Sequence, residues 1–466
     1  MSFFFYFIIF ILSIDLQTYL AQIKEHHQGF AASKHSKSAA DQKSYESKMI
    51  FQPIVSGNVH YVNDKKRTAS PVFMGYKTTT LGFESSIAQK ISYGTQFRLF
   101  YNFDSVKIYG TSPQLMPYPQ FSLGALGAEV SQPLWRNFLG IENKAQIELS
   151  HRQSTLSEKK EYIAQRLILL QAQNTYLRLW LAHEIVEIQK EAYQRALKLK
   201  AWAKGRSESQ LADKGDLLSA MANSLSKQID LDMATQEYKA ALLAFTSLLK
   251  STPFQNDHNI EVVPLNISQA KSYFQKVPSD LQRLELQILE EQLKLTHLNK
   301  LVNKEKYKPQ LELFASQNIT SREPKSLDAV KYTILPHYPV TSVGVRLNMP
   351  LGGDPIKHYN AGLENDIISI KKQLEQKRID YESEKKDLIN KYQELLNLLT
   401  LIDSLKKSLS EKLQHEKSRL EIGRSTTFQT LSYEGEYSMA QLNSVKTLGE
   451  LFKVVFALQL YVQEWE

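Results

Sequence analysis

The 466-residue sequence predicts a mainly α protein with a smaller β part, built as two copies of one strand-to-helix unit. Three observations lead there. A strand pattern runs through Pro133 into a very long helical pattern, and the same junction recurs at Pro350. Each long helical pattern carries an apolar seam spaced in threes and fours, close to that of a coiled coil. The strand before Pro350 alternates cleanly, with Val343, Val345, Leu347 and Met349 on one side and Ser342, Gly344, Arg346 and Asn348 on the other. Such alternation gives a strand one apolar and one polar face.

Composition narrows the function classes. The net charge is +8 with 23% charged residues, and the Lys and Arg are spread among nearly as many acids. That pattern describes solvated helix faces, not a concentrated basic nucleic-acid binder or an acidic disordered chain. There are no cysteines, which removes disulfides, Cys-ligated zinc, iron–sulfur sites and a lipid-modified N-terminal Cys, and fits an oxidising compartment. Residues 3–12 are all apolar or aromatic, far short of the ~20 needed to span a bilayer as a helix. Residues 1–14 read as an export signal, although no basic residue precedes the apolar run and no A-x-A site follows it. No other segment is apolar enough for a transmembrane helix.

In chain order, residues 15–47 are polar and helix-compatible, and residues 48–64 read as a strand opened by Pro53. Residues 80–107 read as a hairpin: Leu81, Phe83 and Ile87 alternate on one arm, Phe97, Leu99, Tyr101 and Phe103 on the other, with Tyr93, Gly94 and Thr95 between. The junction strand at residues 121–130 stops at Pro133, which lacks the N–H a sheet ladder needs and clashes inside a helix. Residues 143–204 form one helix with Ile163, Leu167, Leu170, Asn174, Leu177, Leu181, Ile185 and Ile188 in its seam. About sixty residues at ~1.5 Å each give roughly 90 Å. Residues 205–215 are a polar break, and 216–250 a shorter helix. Residues 251–278, with three prolines, are a linker or small edge element. The pattern then recurs: a helix over 279–306, a strand over 307–320 opened by Pro309, a loop, the second junction strand, and a helix over 360–422 with Leu388, Tyr392, Leu395, Leu399 and Ile402 in its seam. The break GRSTTFQTLS covers 423–432, and a short helix covers 433–462.

Residues 15–250 are thus a first repeat and 279–466 a second. The offset is 256 residues between Pro53 and Pro309, 217 between Pro133 and Pro350, and 213 between Asp216 and Gln429. The helical hairpins match in length, and the excess lies in the strand region, where the hairpin at 80–107 reads as an insertion. Insertions are expected at loop ends away from a packed core.

Helices this long cannot bury their seams inside one chain, so they need neighbours. Four strands cannot close a sheet, because a transmembrane barrel has at least eight. Three copies of four strands would give twelve, with helices continuing out of the barrel.

At this point the sequence resembles the TolC-like outer-membrane efflux proteins, over residues 15–462. The resemblance rests on EVSQPLWRNFLG at 129–140, DLLSA at 216–220 before a Leu-rich helix, and GRSTTFQTL at 423–431, in that order and spacing. It implies a homotrimer with a transmembrane β-barrel of four strands per protomer, continued by a long periplasmic α-helical barrel. It also implies an outer-membrane exit duct in a Gram-negative bacterium, working with a periplasmic adaptor protein and an inner-membrane pump. The hairpin at 80–107 would then face the outside of the cell, with Gly94 at its tip. The resemblance places a periplasmic gate or adaptor contact at two helix tips, with candidates Asp213 and Asp216 in the first and Arg424, Ser425, Gln429 and Ser432 in the second. An acidic ring in some relatives would fall on Gln429 and Ser432, and a basic gate residue on Ser425 beside Arg424; Gln210 stands where a glycine is expected. These departures argue against a cation-sensitive acidic constriction.

Other chemistry finds little support. His26 and His27 are adjacent, so on a helix they face different ways and do not form a metal pair. No phosphate-binding glycine motif or nucleophile motif is present. The expectation is a non-enzyme with no cofactor and no metal. Trp135 reads as a packing aromatic at the strand–helix joint. A soluble periplasmic coiled-coil scaffold is the alternative, and the two-faced strands oppose it.

Overall fold

The computed structural model describes residues 12–65, 67–209, 214–249, 260–277, 283–335, 338–349 and 351–461. In chain order the elements are β1 (Leu12–Ile14), α1 (Leu16–His26), α2 (Gln28–Ser44), β2 (Ile54–Asp64), α3 (Pro71–Met74), β3 (Lys77–Lys90), β4 (Gln96–Tyr109), β5 (Gln120–Pro133), α4 (Ile141–Glu208), α5 (Lys214–Leu248), β6 (Ile260–Val262), α6 (Ile267–Gln275), α7 (Leu284–Lys306), β7 (Gln310–Glu323), α8 (Ser326–Ile334), β8 (Pro339–Asn348), α9 (Asp354–Glu421) and α10 (Thr427–Leu458). Most of the run read as an export signal lies outside the described residues, and its last three residues form β1. Helices α4 and α9 are each 68 residues long, the matched lengths the repeat requires.

Two compact units divide the chain. One takes its described residues from 1–38, 158–289 and 373–466. Cross-contacts define its helix order. Tyr176 and His183 of α4 meet Phe245 and Tyr238 of α5. Gln173 and Arg195 of α4 bond Gln459 and Glu434 beside or on α10, and Lys406 and Lys412 of α9 reach Ser444 and Glu436 of α10. Thus α4 meets both α5 and α10, α9 meets α10, and α10 also touches α5. Gly449 of α10 sits where a Cβ would collide with Leu181 of α4, so glycine lets the two helices approach closely.

The core of this unit is an aromatic cluster where the short elements meet the helices. Ile14, Tyr19 and Ile23 pack against Tyr176, Trp180, Phe245, Phe452 and Phe456. Tyr19 stacks on Phe245 at 4.2 Å between ring centroids, and Phe274 on Tyr392 at 3.8 Å. Strand β1 pairs in parallel with β6, and the Tyr176 hydroxyl lies 3.0 Å from the carbonyl oxygens of both Ile14 and Val263. Local caps set the helix starts. Asp15 accepts from the Thr18 amide at the head of α1, and Asn266 and Gln269 form a reciprocal capping box on α6. The segment read as a linker at 251–278 thus contributes, in its described part, a strand and a capped helix.

The other unit covers residues 39–157 and 290–372 and holds one antiparallel sheet in the order β2-β3-β4-β5-β7-β8. It has six strands where the sequence reading expects four per chain. The extra two are β3 and β4, 14 residues each, and they are not an insertion at a loop end. They fill the middle of the sheet, β3 bonded to β2 and β4 to β5 along their lengths. The reason is physical: a long alternating arm buries its backbone donors best inside a ladder, not in a projecting loop.

The β3–β4 turn also lies at the opposite end from the one expected. Gly94, at φ +87°, closes it, and an added Cβ there would meet Pro133 and the Asn137 carbonyl. The Lys144 ammonium of α4 stands 5.0 Å over the Tyr93 ring. The turn therefore abuts the start of α4, at the helix end of the sheet. The far end carries the β2–β3, β4–β5 and β7–β8 connections.

At the junction the ladder continues past Pro133, since the Leu134 amide donates to Leu311 at 2.7 Å. The chain then turns sharply, with Asn137 and Leu139 at φ +58° and +51°. A leucine in that region is strained. Arg136 holds the bend by binding both carboxylate oxygens of Glu142 at 2.9 and 3.0 Å, and the Asn137 side chain accepts from the Asn143 amide. Trp135 is half exposed at this joint.

Candidate channel wall and helix-tip site

Strand register gives the sheet two chemically different faces. Val55, Ile87, Leu99 and Ala128 stand side by side on one face, as do Phe97, Val130, Ala315 and Val343. The same face carries Val59, Phe83, Phe103, Leu313 and Val345. Many of these apolar side chains are exposed in the single chain; Val59 is 76% and Val345 62% accessible. An apolar area of this extent marks a surface meant to be covered. The short helix α8 lies on this same face at the far end. Thr333 and Ala329 pack over Gly124, and Ser321 donates to the Ala329 carbonyl at 2.7 Å. Its outward side keeps the surface apolar, with Leu327 85% and Ile334 67% exposed.

The opposite face is polar. Arg98, Glu129, Ser316 and Ser342 share one row across four strands. Arg98 pairs with Glu84 at 2.7 Å, Arg346 with Glu312 at 3.8 Å, and His60 with Asp104 at 3.2 Å. The last pair reaches across Gly82, where any Cβ would strike both side chains. Glycine is needed there because two neighbouring strands bridge over the third. No helix among the described residues is long and apolar enough to cross a membrane.

The second candidate region is the pair of helix tips. In the second tip Gly423 ends α9 at φ +73°, and the Thr426 hydroxyl caps α10 by accepting from the Gln429 amide. The break is therefore shorter than the ten residues expected, and Gln429 and Ser432 are helical. Ser425 donates to the Glu416 carboxylate, which also pairs with Arg419 at 3.4 Å; Arg419 in turn donates to the Arg424 carbonyl. The Arg424 side chain is exposed. In the first tip Asp216 lies in the first turn of α5, where the helix dipole favours a carboxylate. Asp213 lies outside the described residues. The two tips approach one another where the Arg206 guanidinium nears Gly423. Among the described residues no ion pair joins Asp216 to Arg424.

Below the tips the structure assembles residues the sequence reading missed. Glu434, only 8% exposed, pairs with Arg195 of α4 at 2.8 Å and with Lys417 of α9 at 2.6 Å. Thr427, Thr430 and Ser438 are buried on the same side of α10. A polar stripe thus replaces the apolar seam for the first three turns. The spacing of 427, 430, 434 and 438 was a signal in the sequence. The partner Arg195, more than two hundred positions upstream, was not.

His27 proves to be a backbone partner, its Nδ1 accepting from the Gly29 amide at 3.1 Å.

No family model matches this sequence, and no curated protein does. Solved structures do. The outer membrane protein VceC of Vibrio cholerae superposes over 96% of this chain and 95% of its own, with a TM-score of 0.69 at 13% identity. The chain has the outer-membrane channel fold. The Campylobacter jejuni outer membrane channel CmeC covers 97% of this chain and 87% of its own, at a TM-score of 0.66 and 13% identity. The open-state Neisseria gonorrhoeae outer membrane channel MtrE covers 96% and 88%, at 0.60 and 13%. At this identity the likeness is one of backbone architecture.

Proposed function

We propose that the chain is the outer-membrane exit duct of an export system in a Gram-negative bacterium. It acts as a passive conduit and not as an enzyme, and needs no cofactor. The observation that carries this is the two-faced sheet: one apolar side across all six strands, one side lined with Arg, Glu, His and Asp, and two 68-residue helices leaving its end. Only a closed sheet satisfies every backbone group in lipid without helices, and a polar inner face then lines water. The long helices would extend into the periplasm and meet an adaptor protein and an inner-membrane pump at their tips, with the homotrimer completing both barrels. Asp213, Asp216, Arg424, Ser425, Gln429 and Ser432 are the gate or adaptor candidates. Closure at that end fits two short breaks joined to helices whose facing surface is polar, so that the tips can splay without exposing an apolar core. The test is reconstitution: protein purified from outer membranes should form discrete ion channels in planar bilayers. Extraction without detergent, with no conductance, would favour the soluble scaffold.

A further inference from the structure

On the duct function proposed above, we infer that the far end of the apolar sheet face binds phosphate-bearing lipid headgroups, with Lys77 and Lys107 as the phosphate contacts and α8 as a helix lying in the lipid–water interface. The face changes chemistry along its length. Every second residue of each strand belongs to it, and among the described residues of the six strands its only charged members are Lys77, Lys107 and Glu323. All three stand at the far edge, beyond the row of Val59, Phe83 and Phe103. At the helix end the same face finishes in Gln89, Phe97, Gln132 and Leu347, without charge. A face that is apolar for most of its height and gains lysine and tyrosine at one edge has the profile of a wall passing from hydrocarbon to headgroups.

The two lysines form one site. Their ammonium groups stand 4.9 and 5.1 Å from the centre of the same ring, that of Tyr109, and neither has a carboxylate partner among the described residues. Two cations sharing one ring repel each other, and a phosphate bound beside them offsets that repulsion. Helix α8 is fastened near this edge by polar contacts, the Ser326 and Ser122 hydroxyls at 2.9 Å and those of Ser321 and Thr333 at 2.7 Å. Its buried residues are Ala329 and Thr333, so Leu327, Val330 and Ile334 turn away from the sheet, with Lys325 and Lys331 exposed beside them. Apolar residues flanked by lysines are what an interfacial helix presents to anionic lipid. The β2–β3 and β4–β5 connections continue the surface. The Ser112 amide donates to the Val72 carbonyl at 3.2 Å, and Phe73, Tyr76, Leu115 and Tyr118 are exposed. Residues 64–77, 107–120 and 323–339 together hold seven Lys and Arg against three acids, so the rim is basic as well as apolar. That charge, and continuity with the proposed lipid-facing wall, select anionic lipid as the occupant.

Native mass spectrometry of the protein released from outer membranes in detergent, titrated with phosphatidylglycerol and with phosphatidylcholine, tests the lysines. The wild type should prefer the anionic lipid, and Lys77→Gln combined with Lys107→Gln should lower that preference by about tenfold. Lys77→Arg combined with Lys107→Arg should keep it. Equal preference in the wild type and the glutamine variant overturns the inference, as does inorganic phosphate binding as tightly as the lipid. The chain has no cysteine, so a nitroxide on Leu327→Cys reports α8 without background. In vesicles containing phosphatidylglycerol it should collide more with oxygen than with a water-soluble nickel chelate. The reverse order places α8 in water or against a protein partner and overturns the inference. The glutamine variant should still conduct in planar bilayers. An overturned lipid preference with conductance intact leaves the duct function standing, whereas no conductance from either protein removes the duct function and the inference with it.

Discussion

Glu434 is the residue on which three helices of one chain converge. Its carboxylate faces Arg195 and Lys417, and Ser438 and Gln441 bond the same arginine. Removing one partner of such a pair leaves buried charge uncompensated. Glu434→Ala should cost roughly 3 kcal/mol, toward the low end for a buried pair because Lys417 is partly exposed. Urea unfolding followed by circular dichroism reads this, and a loss under 1 kcal/mol would make the pair decorative. Arg424, in contrast, is exposed, and its value depends on neighbours supplied by assembly. As a gate hypothesis, Arg424→Glu should raise single-channel conductance in planar bilayers. Conductance equal to wild type would leave the tips as docking loops. Tyr176 makes a third prediction. Burial first, and the Asp15 carboxylate second, push its phenol well above the ordinary tyrosine value. The neutral form is the one the fold favours, so this stability is fully present below the unfolded pKa of about 10 and is lost as pH rises through the folded value. Thermal midpoints should fall from about pH 10 upward, more steeply for wild type than for Tyr176→Phe. Equal slopes would place the alkaline loss on other groups.

At the scale of elements, the hairpin of β3 and β4 is the instructive case. Its arms were legible from alternation alone, and so were both long helices from their seams, because period is a local property of sequence. Its place was not legible. Whether a hairpin projects or joins a sheet depends on which neighbours take its backbone donors, and that is settled by strands at Ile54–Asp64 and Gln120–Pro133. The same limit hid α8, whose Ala329 and Thr333 pack on a glycine two hundred residues upstream. It also hid Arg195, whose partner Glu434 lies across a helix contact. The tips were legible as breaks but not in extent, since the Thr426 cap lets α10 start six residues early. The turn position has a direct consequence for accessibility. With Gly94 seated against Asn137 and the start of α4, a protease site inserted there should resist cleavage in intact cells and be cut once the outer membrane is opened. Cleavage in intact cells would mean that the sheet is inverted relative to the proposed duct.

For the whole molecule, the deciding contrast is between a wet and a lipid-covered sheet face. Val345 stands in the apolar row with Leu313, on the edge strand β8. Val345→Arg should destabilise the inserted form by ~2–4 kcal/mol if it sits near the bilayer midplane. The yield of heat-resistant oligomers from outer membranes reads this, and wild-type yield would mean that the face does not meet lipid. Arg346, one position on, points to the polar side, so Arg346→Val is the matched control and should leave insertion intact.

The order in which the sheet can be completed follows from its pairings. Strands β2 to β5 form a meander, each joined to the next within a few dozen residues, whereas Ser122 pairs with Glu323 and Pro133 with Glu312. Between those partners lie all of α4, α5 and α7. Local pairings form early and distant ones wait on loop closure. A chain emerging from its N-terminus would therefore present a four-stranded, apolar-faced meander long before β7 exists to cover the open side of β5. Such an intermediate is prone to edge-to-edge association in water, and on the proposed duct function its passage to the membrane would call for a chaperone that holds apolar strands.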